Sequence, residues 1–152
     1  MSWVGAVRAD SVNFPLFLHV LGAMLLVGTL LAVAMAIVLE WRRPEGAPGL
    51  ARLALRTLLI GVVPTYVLMR IGAEWSAAEE DWPGEPAWLD IGYITADAGA
   101  VLILVCVVLA AVGLRKLRGG GGRMLARSVG VISVVLLAAY VVAVWAMTTK
   151  PD

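Results

Sequence analysis

The stretch Val101-Leu102-Ile103-Leu104-Val105-Cys106-Val107-Val108-Leu109-Ala110-Ala111-Val112-Gly113-Leu114 runs directly into Arg115-Lys116-Leu117-Arg118. An uncharged apolar run ending in a basic cluster is the pattern of a helix that crosses a hydrocarbon layer and emerges on its positive side. Read back to Tyr93, the run is long enough to cross a layer roughly 30 Å thick at about 1.5 Å per residue. Three more runs of this kind occur, and the four spans read as Phe14–Leu39, Leu50–Ile71, Tyr93–Leu114 and Met124–Met147. At 152 residues, 61% hydrophobic and a mean hydropathy of +0.92, the chain fits one small helical domain in a bilayer. A soluble fold of this size needs more polar surface.

The charges sort by connector. Of the twelve Lys and Arg, nine lie in or beside the first and third connectors: Arg42, Arg43, Arg52, Arg56, Arg115, Lys116, Arg118, Arg123 and Arg127. Nine of the eleven acids lie on the other side, with only Arg8, Arg70 and Lys150 for company. The positive-inside rule then puts both basic loops in the cytoplasm and both termini outside. The expected fold is an all-α bundle of four transmembrane helices forming a single domain, N-out and C-out, in a bacterial-type cytoplasmic membrane.

The first span is expected to be a retained helix rather than a signal peptide, despite the small-x-small pattern of Ala32-Val33-Ala34-Met35-Ala36. The run is longer than a usual signal core, the segment before it pairs Arg8 with Asp10, and a basic stretch follows it. Ser11 or Asn13 is expected to cap this helix, with Pro15 in its first turn, where a missing N–H costs nothing. Gly119-Gly120-Gly121-Gly122 reads as a flexible link, since it lacks the preceding strand and following Lys-Ser/Thr of a phosphate loop. The outer connector, residues 72–92, carries Trp75, Trp82 and Trp88 and the acidic cluster Glu79-Glu80-Asp81. It is expected to fold back onto the membrane interface, where tryptophan is common.

Basic residues that flank apolar spans give no nucleic-acid surface. The lone cysteine, Cys106, sits mid-span and reads as core packing. Ser76 and the one histidine show no triad logic, so the expectation is a protein that is not an enzyme.

Ionisable and phenolic residues inside the spans are few, and the topology places most of them at one level. His19 lies roughly 8 Å into span one, and Asp97 at about the same depth in span three. On span two, Tyr66, Arg70 and Glu74 share a face by i, i+4 spacing. On span three, Asp90, Tyr93 and Asp97 share another, and Tyr140 completes the layer from span four. A charge at the bilayer centre costs about 2.5–3.5 kcal/mol on insertion scales. Arg70 can reach outward to water, but the short side chain of Asp97 cannot. The expected arrangement is an Arg70–Asp97 ion pair with Tyr66, Tyr140 and His19 as hydrogen-bond neighbours. Such a layer either fixes helix docking or forms a site for a proton, cation or small ligand.

His19 precedes Gly22 and Ala23, whose small size serves helix packing or gives a ring clearance. The pattern requires no cofactor. Haem is the alternative, with His19 as axial ligand and Met24, Met69 or Met147 as a second ligand, an open position, or a dimer. Zinc or copper lacks a suitable N/S ligand set. The expected protein handles a proton, cation or small ligand, as a homo-oligomer or as an accessory subunit of a larger membrane complex. A haem electron-transfer protein and a purely structural subunit are the alternatives.

The stretch Phe17-Leu18-His19-Val20-Leu21-Gly22-Ala23-Met24-Leu25-Leu26-Val27-Gly28 resembles the opening helix of the copper-resistance protein D family. It also resembles that of a family of small four-span bacterial integral membrane proteins. The resemblance implies a helical bundle whose first-helix histidine, here His19, faces a haem or metal. The copper-resistance family is longer and generally has further histidines, whereas this chain has one.

Overall fold

A computed structural model of the chain describes residues 10–42, 47–79, 87–117 and 119–149. It contains α1 (Asp10–Arg42), α2 (Ala47–Thr57), a π-helical turn (Leu58–Val62), α3 (Val63–Glu79), α4 (Ala87–Leu117) and α5 (Arg123–Thr149). α2, the π turn and α3 follow one another without a break. Among the described residues, four helices are thus long and apolar enough to cross a membrane, in an all-α four-helix bundle. We call the end where α3 finishes and α4 begins the terminal end, and the opposite end the basic end.

Every helix outruns the apolar run that announces it, because hydropathy marks the apolar length and not where hydrogen bonding stops. α1 is already helical at Asp10, so Ser11 and Asn13 are inside it and Pro15 lies beyond the first turn. The loop expected over 72–92 is largely helix. α3 continues to Glu79 through the good helix formers Ala73, Glu74, Ala77 and Ala78, and α4 resumes at Ala87. Trp75 therefore sits on α3, edge-on to Phe14 of α1 at 5.9 Å. Trp82, Glu80, Asp81 and the side chain of Trp88 fall outside the described residues, as does the fold-back expected of that loop.

The four glycines expected to be a flexible link instead form a hydrogen-bonded turn. Gly120 and Gly122 take φ of 85° and 91°, open to glycine without strain. The N–H groups of Gly119 and Gly121 both donate to the Lys116 carbonyl at 3.0 Å, capping α4. The π turn has a local cause as well. Pro64 has no N–H and its ring would crowd the Ile60 carbonyl in a regular helix. The chain widens there, and Val63 N–H donates to the Leu58 carbonyl, five residues back.

The core is a stripe on each helix. Leu26, Leu30, Val33 and Ile37 of α1 are buried at helical spacing. On α5, Ala126, Val129, Ser133, Leu136, Tyr140 and Ala143 alternate three and four apart, the spacing of left-handed helix packing. Leu58 and Val62 of the π turn and Cys106 of α4 complete the centre. The outward faces are equally apolar, with Phe17, Met24, Ile60, Val101 and Leu104 among the exposed side chains.

Near the basic end the helices enclose one another: α5 lies against both α1 and α4, and α2 against the same pair. Toward the terminal end the second rod leans away. α3 packs extensively on α1 and hardly touches α4. Two glycines set that seam. A Cβ on Gly22 would collide with the Met69 backbone, and one on Gly72 with the His19 backbone. With hydrogen at both positions, α1 and α3 approach backbone to backbone and a gap opens between α3 and α4.

Candidate functional site

The gap is part of a cavity of about 790 Å³ lined by α1, α3, α4 and α5. That is within the roughly 300–1,000 Å³ of small-molecule sites. Its wall is mainly apolar, from Val20, Ala23, Ala73, Ala96, Val144 and others, with His19, Arg70, Ser76, Tyr93, Thr95 and Thr148 as polar lining residues. Toward the basic end it is closed by Leu26, Leu30, Val33, Leu58, Val62 and Leu136, each at most 2% exposed. The cavity is therefore blind, and no polar path continues from it through the described core.

Polar links replace packing across the gap. Nη2 of Arg70 on α3 lies 3.1 Å from Oδ1 of Asp97 on α4 and 2.9 Å from Oε1 of Glu74 one turn along. The guanidinium also sits over the Tyr93 ring, 5.0 Å from its centroid, a cation–π geometry. Tyr66 O–H donates to the Ala96 carbonyl at 3.0 Å. The Arg70 side chain is 27% exposed, against 52% for Glu74 and 68% for Asp97. The cluster is thus a rim structure in which one cation is shared by two carboxylates, leaving net charge −1.

The expected neighbours of the ion pair are arranged differently. None of Tyr66, Tyr140 and His19 hydrogen-bonds to Arg70 or Asp97 among the described residues. Tyr66 is drawn to a carbonyl of α4 because that backbone is the nearest acceptor across the gap. Nδ1 of His19 lies 3.0 Å from the Met69 carbonyl, within the α1–α3 seam. A carbonyl oxygen only accepts, so Nδ1 carries the proton, and in the neutral ring Nε2 keeps a lone pair. Tyr140 is 5% exposed and lines the cavity, and its buried hydroxyl has no hydrogen-bond partner among the described residues. That hydroxyl occupies the space a side chain at Gly99 would fill. Asp90 is exposed near the start of α4.

At the basic end, sequence reasoning missed Glu40. It lies just past the apolar run that stops at Leu39, yet it is 3% exposed with Oε2 unpartnered among the described residues. Arg123 and Arg127 act on it electrostatically without forming a salt bridge, and Arg127 stacks over Trp41 at 6.0 Å. A signal was present: Glu40 extends the buried series Val33, Ile37 by the same three-and-four spacing.

No group of three or more His, Cys, Asp or Glu that could hold a metal ion occurs among the described residues. For haem, His19, Met24, Met69 and Met147 all line the cavity. An imidazole whose other nitrogen donates to a backbone carbonyl is oriented as metal-ligating histidines usually are. The residues present are thus compatible with an axial ligand set. Comparison with protein-family models, curated proteins and solved structures returned no match for this chain.

Proposed function

We propose that this is a non-enzymatic, multi-pass membrane protein that binds a small, mainly apolar molecule in the cavity between α1, α3, α4 and α5. The charge sorting supports insertion in a bacterial cytoplasmic membrane with both termini outside, so that the cavity and the Arg70 cluster lie in the outer half. Of the proton, cation and small-ligand readings, the cavity favours the last. Its volume suits a small molecule, its wall is apolar, and the core beneath it is dry. A blind cavity in one copy suits a binding or accessory subunit, or a homo-oligomer, better than a complete transport path.

Filling the cavity tests this reading. Ala73→Phe projects a ring from half-buried Ala73 on the wall. An apolar small molecule should be recovered by organic extraction and mass spectrometry from detergent-purified wild type, near one per chain, and be depleted in the variant. Equal recovery from both proteins, or none from either, would refute a cavity ligand.

The hydrogen bond from His19 Nδ1 to the Met69 carbonyl favours a second reading, a haem protein with His19 as axial ligand and Met24, Met69 or Met147 as candidates for the other. Bound there, haem would supply electron transfer. An oxidised-minus-reduced visible spectrum separates the two readings: a Soret band lost in His19→Ala selects haem, and a blank spectrum from haem-replete cells excludes it.

A further inference from the structure

Resting on the cavity reading above, the polar groups of the wall restrict what the ligand can be. Among the described residues Arg70 is the one charged side chain lining the cavity, and it is already shared by Glu74 and Asp97 and stacked on Tyr93. No uncommitted charge therefore faces a ligand from the described lining, so a neutral molecule fits best. Two of the wall hydroxyls spend their protons on their own helices, Ser76 on the Ala73 carbonyl and Thr148 on the Trp145 carbonyl. His19 differs. Its tautomer is fixed through Nδ1 by the Met69 carbonyl, so Nε2 is a strong acceptor with no partner among the described residues. The Tyr140 hydroxyl is packed against Gly99 and closed off from solvent, so it offers a ligand no bond.

We infer that the cavity takes a neutral, lipid-soluble molecule bearing a hydroxyl group, whose O–H donates to Nε2 of His19. A phenol or quinol head and a long-chain alcohol share this chemistry. Entry through the thinly packed α3–α4 gap suits a molecule already dissolved in lipid.

The test measures affinity of the purified full chain in lipid nanodiscs, kept anaerobic, for four probes: decylubiquinol, its dimethyl ether, decanol and decanoate. The ether keeps the ring and tail and lacks the O–H donor. Decylubiquinol or decanol should bind about ten-fold more tightly than the ether, the scale of one well-placed hydrogen bond. Tighter quinol identifies a phenolic ligand, equal quinol and decanol a simple alcohol. His19→Ala should abolish the preference over the ether. Because His19 also ties α1 to α3, His19→Asn serves as a second variant, whose amide N–H can keep the link to the Met69 carbonyl while the Nε2 acceptor is gone. It should lose the preference over the ether as His19→Ala does, and a folded His19→Asn protein that keeps the preference overturns the assignment. Ether binding equal to quinol, or decanoate binding tightest, overturns the hydroxyl assignment. Failure of all four probes, with a different molecule recovered from wild type and depleted in Ala73→Phe, overturns this inference and leaves the cavity reading standing. Failure of the probes with nothing recovered overturns both.

Discussion

The two ends of the bundle solve the same packing problem in opposite ways. At the basic end, α2 fits between α1 and α4, side chains interlock, and the described buried side chains are apolar apart from Glu40 and Ser133. At the terminal end, α3 is held to α1 by glycine-mediated backbone contact and faces α4 across a cavity bridged by Arg70, Tyr66 and Tyr93. The difference arises within one rod, at the π turn over Leu58–Val62. Close approach on one side leaves a void on the other. A bundle of four helices with equal spacing would have no such cavity.

The largest effect should come from breaking the seam that makes the ends differ. Gly72→Leu would drive a side chain into the His19 backbone, and no rotamer relieves contact with main chain. The expected cost is about 3 kcal/mol or more, seen as loss of monodisperse protein in detergent and a collapse of thermal stability. Gly28→Leu is the control, since open space surrounds a Cβ at that position. Equal damage from both would mean that glycine as such, and not the α1–α3 seam, sets the architecture.

Glu40 is the charged exception at the basic end and should respond in the other direction. Its carboxylate is buried with Oε2 unsatisfied, and Arg123 and Arg127 are not in bridging contact. A buried polar group lacking its hydrogen bonds costs about 1–3 kcal/mol. Glu40→Met keeps the length and removes the penalty, so thermal unfolding should shift upward by the equivalent of about 1 kcal/mol. A marked loss of stability would show that attraction to the two arginines outweighs desolvation, and that the basic end is tied electrostatically too.

These two sites also show what the residues disclosed beforehand and what they did not. The four spans, the shared face of Arg70 and Glu74, and the pairing of Arg70 with Asp97 across the bundle follow from hydropathy, helical spacing and topology. The partner of His19 does not. It is a backbone carbonyl fifty residues away, brought within reach by glycines whose pairing only the folded seam reveals. The burial of Glu40 was legible in the three-and-four stripe, but an acidic side chain ends a hydropathy run and hides the continuation. The π turn has a visible trigger in Pro64, yet proline alone does not specify how the helix adapts.

Smaller effects should come from the links across the gap. Arg70→Ala leaves Glu74 and Asp97 facing each other without their shared cation. Because the cluster is partly exposed, the coupling between Arg70 and Asp97 should be about 1 kcal/mol at most in detergent. A double-mutant cycle of Arg70→Ala with Asp97→Asn, read by thermal unfolding, measures it. Zero coupling would leave α3 held by the glycine seam alone and reduce the cluster to a solvated rim.

The finest contrast is between two phenols of the terminal end, Tyr66 and Tyr140. Tyr66 O–H donates to the Ala96 carbonyl, while the Tyr140 hydroxyl is buried without a partner among the described residues. Tyr66→Phe removes a bond that links α3 to α4, and stability should fall by about 0.5–1 kcal/mol. Tyr140→Phe removes an unsatisfied polar atom from a site with no bond to lose, so unliganded protein should be unchanged or slightly more stable. The order of the two variants matters more than either value. If Tyr140→Phe proves the more damaging in protein stripped of bound molecules, its hydroxyl has a partner within the fold, and the terminal end is as internally satisfied as the basic end.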